Sequence, residues 1–280
     1  MPSEEFAMHT PTVKLTQDQI EFFHTQGYLS LGPLSTPDEL ARMRSEYDRI
    51  FAIKAGRDRG EHFDLGSADA DDQEAVLPQI VGVEKYAPAF KETLLAANVR
   101  QISHQLLGPD AVGGSGHAIL KPARHGATTP WHQDEAYWDP AMEHFSISIW
   151  VPLQDVNLDN GCMHFVPGSH TLDVQPHHSI NHDPRVHGLE IDDTPLVRSL
   201  IAGAVACPLV AGGATIHGGR MMHYAGPNRT DAPRRAYILM YATPARPLAQ
   251  PRRFPWLEAR KTARLERLAQ ARQREAGAVS

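Results

Sequence analysis

The chain has 280 residues and a mass of 30.9 kDa, with 41% hydrophobic and 21% charged residues and a formal net charge of −6. That composition is ordinary for a globular protein and sets aside collagenous and wholly disordered chains. No charged n-region with an apolar core opens the sequence and no apolar run reaches bilayer length, so the expectation is a cytoplasmic protein with no membrane partner.

Residues 1–13 carry no periodic pattern and are expected to be disordered. Thr16 opens a helix, with Gln19 as its capping-box partner and Gly27 as its stop. Tyr28 to Leu31 reads as a short strand. Thr36-Pro37-Asp38-Glu39 is a second helix start, running to about Ala55 with Leu40, Met43, Tyr47, Ile50 and Phe51 facing inward. Residues 56–77 read as a loop rich in Asp and Gly, and Tyr86 to Leu107 as helical up to Gly108-Pro109.

From Val112 to Pro244 the texture changes to short segments of alternating polarity, broken by Gly, Pro, Asn and Asp. Ser146-Ile147-Ser148-Ile149-Trp150-Val151 shows the period of two most clearly. Many short strands argue for a barrel or sandwich. Residues 171–203 interrupt them as a polar insertion over one end, and Trp256 to Glu275 returns to helix. One domain spans 14–245, followed by a basic helical segment, 246–280, with nine basic and three acidic residues. That tail lacks interleaved aromatics, so nucleic acid is not an expected partner; a solvated face or docking on the acidic body is. Cys162 and Cys207 are expected to be buried free thiols.

Twelve of the sixteen histidines lie between His117 and His223, which locates the chemistry. His132-Gln133-Asp134 places an imidazole and a carboxylate two residues apart, on one face of a strand. Two donors hold a metal weakly. Downstream, His217 and His223 each offer a third, followed by Gly226-Pro227-Asn228 and the pair Arg234-Arg235. Two histidines and a carboxylate on a β scaffold make the facial triad of non-haem Fe(II) oxygenases, which leaves positions for a bidentate 2-oxo acid and O₂. A dicarboxylate co-substrate then needs a cation for its far end, and Arg supplies one bidentately.

On these residues the chain resembles the phytanoyl-CoA dioxygenase family of Fe(II)/2-oxoglutarate oxygenases. The likeness runs through Pro130-Trp131-His132-Gln133-Asp134, the strand to Trp150, Asn160-Gly161-Cys162-Met163-His164-Phe165-Val166-Pro167-Gly168-Ser169-His170, and His223 with Asn228 and the Arg pair. It covers roughly residues 14–245. It implies a mainly β fold, a double-stranded β-helix (jelly-roll) core with flanking N-terminal and C-terminal helices. It also implies that His132, Asp134 and His223 bind Fe(II), that Arg234 anchors 2-oxoglutarate, and that Trp150 lies near it. His217 is the rival ligand, usually off the metal in the family. Arg235 would face away from Arg234. Lys121 and His117, on the strand leading to the site, are candidate contacts of co-substrate or substrate. One position departs from the family: Ala225 stands where a Ser is common.

The implied reaction is oxidative decarboxylation of 2-oxoglutarate to succinate and CO₂, coupled to hydroxylation or another oxidation of a substrate C–H. Related halogenases replace the carboxylate ligand with a small residue, so Asp134 argues against halogenation. The substrate is expected under the 56–77 loop and the 171–203 insertion, near Tyr137, Trp138 and Met142. Arg220 and Arg229 are the obvious cations nearby, too few for coenzyme A phosphates, which points to a small metabolite or natural-product intermediate. A Zn or Ni jelly-roll enzyme of non-oxidative chemistry and a catalytically idle binding module are the alternatives. A monomer or a homodimer fits equally.

Overall fold

The computed structural model describes residues 9–277. Its centre is a jelly roll of two facing antiparallel sheets. The larger runs Tyr28–Leu31, Ala214–Gly218, Met142–Pro152, Arg234–Pro247, His117–Lys121, Pro78–Val81 and His62–Asp64, in that spatial order. The smaller runs Val205–Cys207, Met163–Phe165, His223–Ala225 and Thr129–His132. A separate two-stranded ribbon pairs His177–Ser179 with Leu189–Ile191.

Alternation along the two longest strands assigns the faces. Ile147, Ile149 and Val151, with Tyr237, Leu239 and Tyr241, turn outward to a core shared with the helices Pro37–Ala52 and Leu94–Leu107. Those helices contribute Leu40, Met43, Tyr47, Ile50, Leu95, Val99 and Ile102. The opposite residues, Ser148 and Trp150, Arg234 and Ile238, turn inward to a cavity between the sheets. One face of each strand therefore builds the core and the other builds the site.

The N-terminal caps form as the sequence indicates. Thr16 and Gln19 make a reciprocal capping box on Gln17–Gln26, and Gly27 closes that helix at φ +82°. Several boundaries differ from expectation. Residues 1–8 lie outside the described residues, and 9–13 are not disordered: the Thr12 and Val13 N–H groups donate to Asn98 Oδ1 at 2.6 and 3.1 Å. The second helix ends at Ala52, and the 56–77 loop contains the strand His62–Asp64. The 171–203 insertion contains the two-stranded ribbon and the helix Pro195–Ile201.

The basic tail is two helices, Pro255–Ala259 and Ala263–Gly277, with extended backbone at Arg260. It docks on the acidic 57–71 stretch through Arg267 to Asp69 and Arg59 to Glu275, while Arg57 braces Asp69 from the other side. Gly60 permits the close approach: at φ +69°, a Cβ there would lie 2.7 Å from the Arg264 carbonyl oxygen.

Asp64 shapes the loop that becomes one wall of the cavity. Its carboxylate accepts from the Gly66, Val76 and Leu77 N–H groups at 2.8–2.9 Å and from Ser67 Oγ at 2.7 Å. Asp64→Ala should lower unfolding free energy in urea by about 3 kcal/mol, because several N–H groups lose their acceptor together; a loss below about 1 kcal/mol would contradict this role.

Candidate active site

His132 ends its strand directly opposite His223 on the neighbouring antiparallel strand, so the two imidazoles lie side by side, ring centroids 4.1 Å apart. The chain leaves the strand at Gln133, and Asp134 swings its carboxylate back beneath both rings. Asp134 Oδ1 lies 3.7 Å from His132 Nε2 and 3.5 Å from His223 Nε2. Donor atoms of these three residues fall within 4.8 Å of one another, a set able to hold a metal ion.

The second carboxylate oxygen faces the other way. Ser148 Oγ donates to Asp134 Oδ2 at 2.7 Å, and His217 Nε2 lies 3.4 Å from the same oxygen. His217, the rival ligand, therefore stands behind the carboxylate rather than beside Oδ1. Each forward histidine is fixed in orientation by its distal nitrogen. His132 Nδ1 donates to the Pro130 carbonyl at 2.8 Å and His223 Nδ1 to the Met221 carbonyl at 2.9 Å, which leaves both Nε2 lone pairs pointing inward.

Protonation states agree with metal holding. Burial lowers the His132 pKa, and burial with the neighbouring His132 and His217 rings lowers that of His223 well below the usual value. Burial alone would raise the Asp134 carboxyl, but His223, His217 and His132 outweigh it and hold it well below the usual carboxylate range. The result is two neutral imidazoles and one carboxylate, the forms that bind metal.

Gln133 locks the turn between the ligand candidates. It is fully buried, its Nε2 donates to the Arg220 carbonyl at 2.7 Å, and its Oε1 accepts from the Gln175 N–H at 2.8 Å. Its backbone N–H donates to His177 Nε2 at 3.2 Å.

The cavity over this cluster has a volume of about 440 Å³, enough for a small ligand. Arg234 enters it from the larger sheet. The guanidinium is buried, stands 5.4 Å from the Trp150 ring centroid, and has one long contact to the Ile119 carbonyl at 3.5 Å. Its Nε makes no hydrogen bond, and no acidic side chain pairs with it among the described residues. Burial lowers its pKa to about 10. A cation placed this way fits the far carboxylate of a dicarboxylate such as 2-oxoglutarate. Arg235 turns to the outer face and pairs with Asp48 at 2.6 Å, as the alternation requires.

His117, Tyr137 and Trp138 line the cavity. Lys121 does not line it: the side chain is buried behind the wall, and Nζ donates to the Ala127 and Ala225 carbonyls at 3.0 and 3.2 Å. Met142 also lies outside the lining. Arg220 faces Glu135 at 3.6 Å, and neither it nor Arg229 reaches the cavity. The cations that do reach it, besides Arg234, are Arg260 and Arg264 of the tail. Sequence reasoning treats that segment as a solvated or docked helix; its basic excess was the available signal.

A family model described as phytanoyl-CoA dioxygenase (PhyH) matches residues 23–236, and the chain belongs to that family of Fe(II)/2-oxoglutarate-dependent oxygenases. The donor set and Arg234 fit those two groups. Among solved structures, EvdO2 from Micromonospora carbonacea var. aurantiaca is 39% identical, with 89% of this chain and 99% of that chain covered and a TM-score of 0.76. The same protein complexed with 2-oxoglutarate gives 36% identity and a TM-score of 0.74 over the same shares. SnoN, an epimerase from nogalamycin biosynthesis solved with Fe3+, alpha ketoglutarate and nogalamycin RO, shares the fold at 22% identity and a TM-score of 0.63, over 81% of this chain and 83% of that one. Phytanoyl-CoA dioxygenase of Arabidopsis thaliana is 26% identical over 57% of this chain, which spans 66% of that relative's length. No helix among the described residues is long and apolar enough to cross a membrane.

The His177 contact gives a pH dependence. Burial holds His177 down at about 3, with the Gln175 carbonyl acting against it. A histidine depressed in the fold binds its proton in the unfolded chain first, so its contribution is complete above about pH 6.5 and is lost as pH falls below it. Between pH 7 and 5 the metal-free protein should lose about 2 kcal/mol through this residue alone. In His177→Gln the pH slope of unfolding free energy should flatten by that amount; an unchanged slope would place the proton uptake elsewhere.

Proposed function

We propose that the protein is an Fe(II)/2-oxoglutarate-dependent oxygenase that hydroxylates, or otherwise oxidises, an unactivated C–H of a small metabolite or natural-product intermediate, releasing succinate and CO₂. One observation carries the reading. A two-histidine, one-carboxylate cluster shares a cavity with a buried arginine that has no acidic partner among the described residues.

In this reading His132, Asp134 and His223 hold the metal, which when bound supplies activation of O₂ against the 2-oxo acid. Ser148 and His217 orient the carboxylate through Oδ2, which leaves Oδ1 on the side of His132 and His223. Arg234 takes the far carboxylate of 2-oxoglutarate, and Trp150 forms the flat wall beside it. Thr129 is cross-strand from Ala225 and lines the same cavity, so its hydroxyl can replace the family's Ser. His117 offers a neutral imidazole, its pKa lowered to about 4 chiefly by burial, for a hydrogen bond rather than a charge. Phe63, Leu65 and Tyr137 give the same cavity an apolar and aromatic lining. A carboxylate at position 134 favours oxygen insertion over halogenation; ring closure or epimerisation would use the same residues with a differently placed substrate.

Anaerobic protein given Fe(II) and 2-oxoglutarate should develop a visible metal-to-ligand charge-transfer band, and admission of O₂ should release succinate. His132→Ala and Asp134→Ala should lose the band and at least roughly 100-fold in succinate release. A band without O₂-dependent succinate would favour non-oxidative metal chemistry, and absence of any band would favour an idle binding module.

A further inference from the structure

The tail lies beyond the family-matched residues, yet it completes the cavity. The ion pairs of the docking surface are made by Arg267 of the tail, with Asp69 and Asp71, and by Arg57 and Arg59 of the body, with Asp69, Asp71 and the tail's Glu275. Arg260 and Arg264, which face the cavity, pair with no acidic side chain among the described residues. Arg260 Nε and Nη1 are buried and make no hydrogen bond, and its guanidinium carbon lies 5.7 Å from the Tyr137 ring centroid. Arg264 lies 4.2 Å from the Phe63 ring centroid, with Nε on the Gly60 carbonyl at 3.2 Å and Nη1 on His187 Nε2 at 2.6 Å. Aromatic faces and a neutral imidazole hold these two cations in place without cancelling their charge.

Holding two neighbouring, partly buried guanidinium groups with no ion-paired carboxylate is costly. Docking does not require it, since the paired arginines serve that purpose. The position suits a ligand instead. The Tyr137 ring neighbours both Arg260 and the metal-ligand candidates, its centroid 5.7 Å from the Arg260 guanidinium carbon and 6.2 Å from the centroid of His132. A molecule over the cluster could thus extend along Tyr137 and end at both arginines.

We propose that Arg260 and Arg264 form an oxyanion subsite for the primary substrate, which is therefore a small acid carrying a carboxylate or a phosphate monoester remote from the C–H that reacts. This rests on the proposed oxygenase reading of the cavity. The subsite is separate from Arg234, which serves the co-substrate, and it binds the acid bidentately by charge-assisted hydrogen bonds.

The test is isothermal titration of anaerobic Fe(II)- and 2-oxoglutarate-loaded protein, in low-chloride buffer, with phenyl phosphate, phenylacetate and neutral 2-phenylethanol. At least one anion should bind saturably and at least tenfold more tightly than the alcohol, and the tighter anion identifies the acid. Arg260→Met and Arg264→Met should each weaken that anion at least tenfold, and the lysine variants less. The charge-transfer band should stay unchanged, and the Arg260→Met melting temperature should hold or rise, because a partly buried cation without an ion-paired carboxylate has been removed. Absence of saturable anion binding, no preference over the alcohol, or equal affinity in the methionine variants would overturn the proposal. A lower melting temperature with unchanged anion affinity would also overturn it, by making Arg260 structural. Failure of the oxygenase reading shows separately, as a missing charge-transfer band in the unmutated protein.

Discussion

Positive charge buried without a counter-charge among the described residues is the constraint on which the rest of this structure depends. Arg234 projects from the inner face of a central strand into a cavity where no carboxylate among the described residues pairs with it. Such a residue survives only where surrounding packing holds it rigidly and a ligand recovers the lost solvation. The packing comes from the opposite face of the same strand, where Tyr237, Leu239 and Tyr241 are held by two amphipathic helices. The period of two thus links core stability directly to placement of the cation. A slip of one residue would turn Tyr237, Leu239 and Tyr241 away from the helices and toward the cavity.

Asp134 solves the complementary problem. A buried carboxylate needs partners, and this one divides them between its oxygens: Ser148 and His217 behind, His132 and His223 in front. Backbone carbonyls settle the tautomers of the front pair, and Gln133, gripped through its backbone and both side-chain amide atoms, prevents the turn from relaxing. The donor cluster is therefore preorganised by hydrogen bonds that do not involve the metal, which is how a site with open coordination positions keeps its shape.

Much of this was legible in the sequence because it is local or periodic. The capping box at Thr16, the alternation around Trp150, the His-x-Asp spacing and the opposite facing of Arg234 and Arg235 each follow from backbone geometry. The resemblance carried by Pro130 to Asp134 and Asn160 to His170 extended that reading to the family. Non-local contacts were not legible. Residues 9–13 look featureless until Asn98, on a distant helix, supplies their acceptor. Lys121 shares a strand face with His117, yet two carbonyls draw its ammonium behind the wall. Arg220 is near in sequence to the ligand candidates but is turned toward Glu135, whereas Arg260 and Arg264 are far away and reach the cavity because Gly60 lets the tail lie close.

In the proposed function the cavity is built around Arg234 as the partner of a dicarboxylate co-substrate. The most direct test is anaerobic titration of 2-oxoglutarate into Fe(II)-loaded Arg234→Met protein, followed by the charge-transfer band. Removing one partner of a buried charge pair should raise the dissociation constant by at least roughly thirtyfold. The band should keep its position at saturation, since the metal-binding end of the co-substrate is untouched. Unchanged affinity in Arg234→Met would contradict the account.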